Sequence, residues 1–139
     1  MVLPAPGFRE VAPSVMAAIE GVAVIGTHTL FDLNILRRAA RAVEIDWQDP
    51  PWLDTALLYS ALYPEASHFD LDAVAARLGV PVHGRHTALG DALTTADLYL
   101  KMLPLLAERG IITLGQAMAF QMTGRKAAQV HPIEGAAAS

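Results

Sequence analysis

Three titratable residues stand at positions where their chemistry can be used: Asp32, His86 and Asp91. Asp32 follows an expected strand and falls in the first turn of the next helix, and strand ends in α/β folds are where ligands bind. His86 and Asp91 straddle a loop-to-helix junction, with the carboxylate again in a first helical turn. A hard divalent cation such as Mg²⁺ takes carboxylate oxygens and keeps several waters, so two carboxylates from different elements can share one ion. A nearby histidine can then take a proton from an attacking water. Each residue also has a structural reading. Thr29-Leu30-Phe31-Asp32 resembles a capping box with Thr29 as the N-cap, an acid at Asp91 suits a helix dipole, and His86 in a polar loop is often only solvated. His28 and Arg85 are weaker candidates for contacts to substrate, Arg85 as a phosphate partner. Arg37, Arg38 and Arg41 read most simply as a solvated helix face. Gly84 and Gly90 fit neither phosphate-loop pattern, and no serine stands in a GxSxG context.

The elements that must position these side chains follow from periodicity. Phe8, Val11, Val15, Met16 and Ile19 repeat at helical spacing up to Gly21, predicting a helix over 8–20. The β-branched run at 22–26, bounded by glycine, predicts a buried strand of the parallel kind. Leu33, Leu36, Ala40 and Val43 share one face of a helix that starts near Leu30. Turn residues over 46–51 end it, and Trp52 to Thr55 is a possible short strand before an apolar helix over 56–62. Further helices are expected over 71–78, stopped by Gly79, over 88–109 with a kink or break at Pro104, and from Leu114 to about Thr123. An isolated strand at 22–26 would leave its backbone groups without partners, which implies pairing with a second chain or with strands upstream.

The composition narrows the function classes. Of 139 residues, 53% are hydrophobic and 17% charged, which excludes a disordered polymer and is enough for one domain with a core. Mean hydropathy is high, at +0.35, yet charged residues or proline interrupt every apolar stretch, so no membrane span is expected. Fourteen acids against ten Lys and Arg give a formal charge of −4, so no global basic field draws the chain to nucleic acid. Phosphate binding has to be local or metal-mediated. With no cysteine, thiolate chemistry is excluded, and the opening residues lack the pattern of a secretory leader, so a cytoplasmic location is expected.

The run VAVIGTHTLFDLNIL resembles the second motif of the DEDDh 3′–5′ exonucleases, the group that includes the proofreading epsilon subunit of bacterial DNA polymerase III. That motif, H-N-x-x-F-D, stands here as His28-Thr29-Leu30-Phe31-Asp32, with Thr29 in place of the habitual Asn. The run GRHTALGDALTTADLYL resembles the third, H-x-A-x-x-D-A, carried by His86, Ala88, Asp91 and Ala92. Between them Leu53-Asp54-Thr55 and the segment from Leu71 to Gly79 match the usual intervening pattern. The resemblance implies an RNase H-like α/β fold, mostly helical with one or two strands in this chain. The resemblance covers roughly residues 8–118; chain length and the low apolar content of the C-terminal end give one domain over 1–123 with a flexible tail over 124–139. The resemblance also implies hydrolysis of the 3′-terminal phosphodiester of a nucleic-acid single strand with two Mg²⁺ or Mn²⁺ ions, Asp32 and Asp91 being metal ligands and His86 the general base.

One departure is large. The family's first motif, D-x-E, supplies the carboxylates for the shared metal, yet residues 1–31 contain no Asp, and their acids are Glu10 and Glu20 on an expected helix. The missing motif and the strand without a partner both point to an N-terminally truncated fold, with at most one loosely held cation and weak or no nuclease activity. The alternative is a non-catalytic exonuclease-like module that binds nucleic acid or a polymerase, or a homo-oligomer that swaps the strand at 22–26. A plain helical scaffold predicts no effect of metal on melting.

Overall fold

The computed structural model describes residues 7–84 and 86–124. Element order is α1 (Phe8–Ile19), β1 (Val24–Gly26), α2 (Thr29–Ala42), β2 (Trp52–Asp54), α3 (Thr55–Leu62), α4 (Leu71–Leu78), α5 (Ala88–Ala107) and α6 (Leu114–Gln121). It is an α/β arrangement, mostly helical, around a two-stranded parallel sheet.

The strand at the N-terminal end is not isolated, contrary to expectation. β1 pairs in parallel with β2 in the register Val24 to Trp52, Ile25 to Leu53 and Gly26 to Asp54. α2 is the crossover that such a parallel pair requires. The strand is also shorter than 22–26. Gly21 turns with φ +72°, and at the other end a Cβ on Gly26 would come within 2.8 Å of Thr29 Oγ1, so the chain passes close to its own next helix there.

α3 is buried at every position from Thr55 to Leu62. A helix without a polar face belongs in the centre of a fold, and here α4, α5 and α6 surround it. Leu58, Tyr59 and Leu62 meet Leu53, Val74, Leu98, Met102, Leu106 and Ala117 in one core cluster. α4 starts on Asp70, whose carboxylate accepts from the Ala73 N–H, and ends at Gly79 in the left-handed conformation, φ +71°. That glycine is the stop signal legible in the sequence.

Two helix expectations need correction. Thr29 is not the N-cap of α2. It lies inside the helix, and His28 holds the cap position with φ +60° and no side-chain capping bond. The Thr29 hydroxyl instead donates to the Leu53 carbonyl at 2.8 Å, so the supposed capping box is not formed. α5 is one helix of 20 residues, neither broken at Pro104 nor extending to Arg109. Pro104 lies in the last turn, and the carbonyl it leaves free belongs to Leu100, 62% exposed, where water can replace the missing N–H. Gly110, φ +76°, then closes the end, with the Ile111 N–H donating to the Leu106 carbonyl. The expected tail over 124–139 lies outside the described residues except for Gly124, which is buried tightly against Ser60. Among the described residues no helix is long and apolar enough to cross a membrane.

Candidate active site

The carboxyl end of β1 opens into a cleft of about 520 Å³ lined by Ile25, Gly26, Thr27, His28, Asp32, Leu71, Ala88, Asp91, Ala92 and Thr95. Asp32 and Asp91 therefore share one cavity, although they come from the first turns of α2 and α5. A larger hollow of about 890 Å³ lies between α1 and residues 46–51, lined by Met16, Val22, Trp47 and the proline pair. Its wall contains Glu20 and Asp46 but no histidine, so the chemistry-bearing set is in the smaller cleft.

Asp32 is held by a short chain of causes. His28, in its left-handed conformation, swings the backbone from β1 into α2 and puts the carboxylate one turn further on. Outside glycine this conformation costs about 1–2 kcal/mol, and a buried carboxylate from β2 offsets it. Asp54, 3% exposed, accepts from the His28 N–H at 3.1 Å through Oδ1 and from the Thr29 N–H at 3.1 Å through Oδ2. Its Oδ1 also accepts from the Ala56 N–H at 2.8 Å, capping α3. One side chain thus satisfies the start of two helices, where free N–H groups would otherwise be stranded.

Partial burial pushes the Asp32 carboxyl above its ordinary value of 3.8; neighbouring His28 pulls it down and the Asp54 charge pushes it up again. The residue as a whole is exposed, so this is desolvation at the cleft mouth rather than enclosure.

Asp91 is placed by the start of α5. The Thr87 hydroxyl accepts from the Gly90 N–H at 3.0 Å, and the Asp91 N–H donates to the Thr87 carbonyl at 2.9 Å. The loop before it is tied down as well. The His83 N–H donates to Thr94 Oγ1 at 2.9 Å, and the His83 ring lies 2.7 Å from Asp97 Oδ2. His86 is exposed, has φ +63° and lies outside the cleft wall, just before Ala88, which forms part of that wall. Arg85 lies outside the described residues. The structure therefore brings Asp32, Asp91 and His28 together and leaves His86 at the rim. Arg37, expected on a solvated face, forms an ion pair with Asp49 and accordingly does not reach the cleft.

Sequence reasoning missed three contributors. Asp54 was visible only as part of an intervening pattern; an acid before a helix is an N-cap signal, but its service to α2 depends on the fold. Gln121, 2% exposed, accepts from the Asp54 N–H at 2.9 Å and donates to the Trp52 carbonyl at 3.2 Å. Its amide thereby takes the place of a neighbouring strand along the outer edge of β2. Thr27, Thr55 and Thr95 form a hydroxyl chain at the cleft floor, with oxygens 2.7 and 3.0 Å apart.

The donor set can be compared with what a cation requires. The two carboxylates in one cleft suit a single hard divalent ion that retains waters and takes further oxygens from a phosphate, while the threonine hydroxyls are engaged with one another. Among the described residues no group of three or more His, Asp or Glu is arranged to hold a metal ion, His28 at the mouth included. The described donors thus suffice for one ion at most and lack those of a two-ion clamp.

The profile of the exonuclease (RNase T) family matches residues 1–99. A DNA polymerase III subunit epsilon-like protein of Rhodobacter capsulatus is 38% identical over 120 residues, 85% of this chain and 17% of that protein. A 3′-5′ exonuclease DinG of Staphylococcus haemolyticus is 30% identical over 112 residues, 81% of this chain and 12% of the relative. A PolC-type DNA polymerase III of Caldanaerobacter subterraneus subsp. tengcongensis is 29% identical over 116 residues, 84% and 8% respectively. The chain spans less than a fifth of the length of each of these relatives. No solved structure matches it significantly. The family profile takes in both the turn that carries Asp32 and the helix start that carries Asp91, and the chain belongs to the exonuclease family.

Proposed function

We propose that the chain carries part of a divalent-cation-dependent 3′–5′ exonuclease site of the DEDDh type. Asp32 and Asp91 hold one Mg²⁺ or Mn²⁺, His86 is the general base, and His28 and Arg85 contact the 3′-terminal nucleotide of a single strand. The observation that carries this reading is the shared cleft of Asp32 and Asp91 at the end of β1. A bound cation supplies positive charge to the phosphate, which an acidic chain otherwise lacks. The chain's own residues do the rest. Asp32 and Asp91 would hold the cation that the phosphate oxygens meet, His28 lies at the mouth, and His86 takes the proton of the attacking water on a ring nitrogen. With two acids in the cleft, this polypeptide by itself hydrolyses slowly or not at all.

The test is Mn²⁺ binding to the full 139-residue chain by electron paramagnetic resonance, alongside release of mononucleotides from labelled single-stranded DNA. Asp32→Asn and Asp91→Asn should each abolish binding, and any nucleotide release should vanish with them. Unchanged binding in Asp91→Asn would refute the assignment. A second reading is favoured by the outer edge of β1, which pairs with no strand among the described residues. On that reading the chain is a non-catalytic module that associates with a polymerase or with its own copy. A monomer in light scattering would count against the second copy.

A further inference from the structure

The hydroxyls of Thr27, Thr55 and Thr95 connect the three backbone segments on which the cleft depends. Thr27 ends the run from β1 and precedes the His28 turn. Thr55, 1% exposed, opens α3 directly after Asp54, and Thr95, 6% exposed, sits one turn beyond Asp91 on α5. Thr27 Oγ1 is 2.7 Å from Thr55 Oγ1 and 3.0 Å from Thr95 Oγ1. Thr27 and Thr95 also line the cleft that holds the two carboxylates. Each hydroxyl has one proton and two lone pairs, so Thr27 can serve both neighbours at once, whereas a serviceable apolar side chain of the same shape can serve neither.

We propose that this chain of hydroxyls is a positioning device that fixes the separation of Asp32 and Asp91. The inference rests on the reading of that cleft as a cation site. α5 packs on β1, and the Thr27–Thr95 bond locks their relative height, while Thr55 ties the same point to the segment that holds the start of α2. An ion bound by two carboxylates from separate elements tolerates displacements of only about 0.5 Å. Loss of the bond therefore weakens cation binding without removing any ligand.

The experiment compares Mn²⁺ affinity, read by electron paramagnetic resonance, among wild type, Asp91→Asn, Thr27→Val, Thr95→Val and Thr27→Ser, after circular dichroism has confirmed folding. Thr27→Val keeps the shape and loses both hydrogen bonds; its affinity should fall about tenfold, the size usual for residues that orient metal ligands. Thr27→Ser restores the hydroxyl and should bind within about twofold of wild type, which a merely volumetric role of Thr27 would not produce. Thr95→Val, which leaves the Thr27–Thr55 bond in place, carries the test if Thr27→Val does not fold. Wild-type affinity in the valine variants, or equal loss in the serine variant, overturns the positioning role and leaves the cation site standing. No binding by wild type, or no effect of Asp91→Asn, overturns the cation site and this inference with it.

Discussion

Replacing Asp54 by alanine removes one carboxylate that serves three backbone donors, and the structure allows the cost to be worked out. Thr29 and Ala56 are 1% and 0% exposed, so their N–H groups lose an acceptor where water cannot stand in. A buried donor left unsatisfied costs about 1–3 kcal/mol. Two of them give roughly 2–6 kcal/mol, from which the relief of burying a carboxylate subtracts a part. The His28 N–H belongs to an exposed residue and adds little. The expected loss is about 3 kcal/mol, or about 12 °C in melting temperature at about 4 °C per kcal/mol for a domain of this size. Asp54→Asn keeps one carbonyl for His28 and Ala56 but turns an amide NH₂ toward the Thr29 N–H, so about half the loss is expected. Urea denaturation followed by circular dichroism reads this as a lower midpoint at unchanged slope. Asp70→Ala is the comparator, since Asp70 caps α4 from an exposed position with a bond of 3.3 Å and should cost no more than about 1 kcal/mol. If Asp54→Ala costs no more than Asp70→Ala, the account of Asp54 as the support of two helix starts is wrong.

Gln121→Leu strips the outer edge of β2 of its acceptor and donor, and a loss of about 1–3 kcal/mol in urea melts is expected, with a null effect refuting the edge-cover role. Gly90→Ala places a Cβ 2.6 Å from the His83 carbonyl oxygen and 2.6 Å from Thr87 Oγ1, so the loop bearing His86 has to shift; about 1–3 kcal/mol of destabilisation should accompany changed His86 signals in NMR. At the proposed cation site, the raised Asp32 pKa would set the pH response of binding. Protons compete with the ion for that carboxylate, so affinity is present above the raised value and is lost as pH falls through it, beginning above the 3.8 of an ordinary aspartate. In the cation-free protein the sign is reversed: the fold holds the Asp32 proton more tightly than the unfolded chain, a contribution present at low pH and lost as pH rises through the raised value. An Asp32 carboxyl that titrates at or below 3.8 by NMR in the cation-free protein would contradict its desolvation.

Much of this fold could be read along the chain because its signals are local. The apolar stripe of α2, the Gly79 stop after α4 and the helix from Ala88 each depend on residues within a turn or two. The placement of Asp32 and Asp91 in first helical turns was legible for the same reason. The failures share the opposite cause. Thr29 fits the N-cap rule by type, but the left-handed His28 turns the threonine toward β2, and the cap is supplied by Asp54, which is distant along the chain. Three residues of β2 are too few to show a period, so the partner of β1 was visible only as a possibility. Gln121 and the three threonines make contacts across long separations, and nothing in their neighbours along the sequence marks them out. Pro104 obeys its rule chemically, but position in the last turn removes the expected consequence.

The cover that Gln121 places on β2 also has a consequence in time. Asp54 and Trp52 leave the ribosome 67 and 69 residues before the glutamine that will bond to them. At about 5–20 residues per second, the edge stays without its cover for roughly 3–13 s of synthesis. During that interval β2 presents an unsatisfied N–H and carbonyl beside a newly formed apolar helix, the kind of surface that recruits other strands. Because the cover is a single side chain on α6, completion of the sheet waits for that helix, and a nascent chain stalled before it would carry the most adhesive form of this fold.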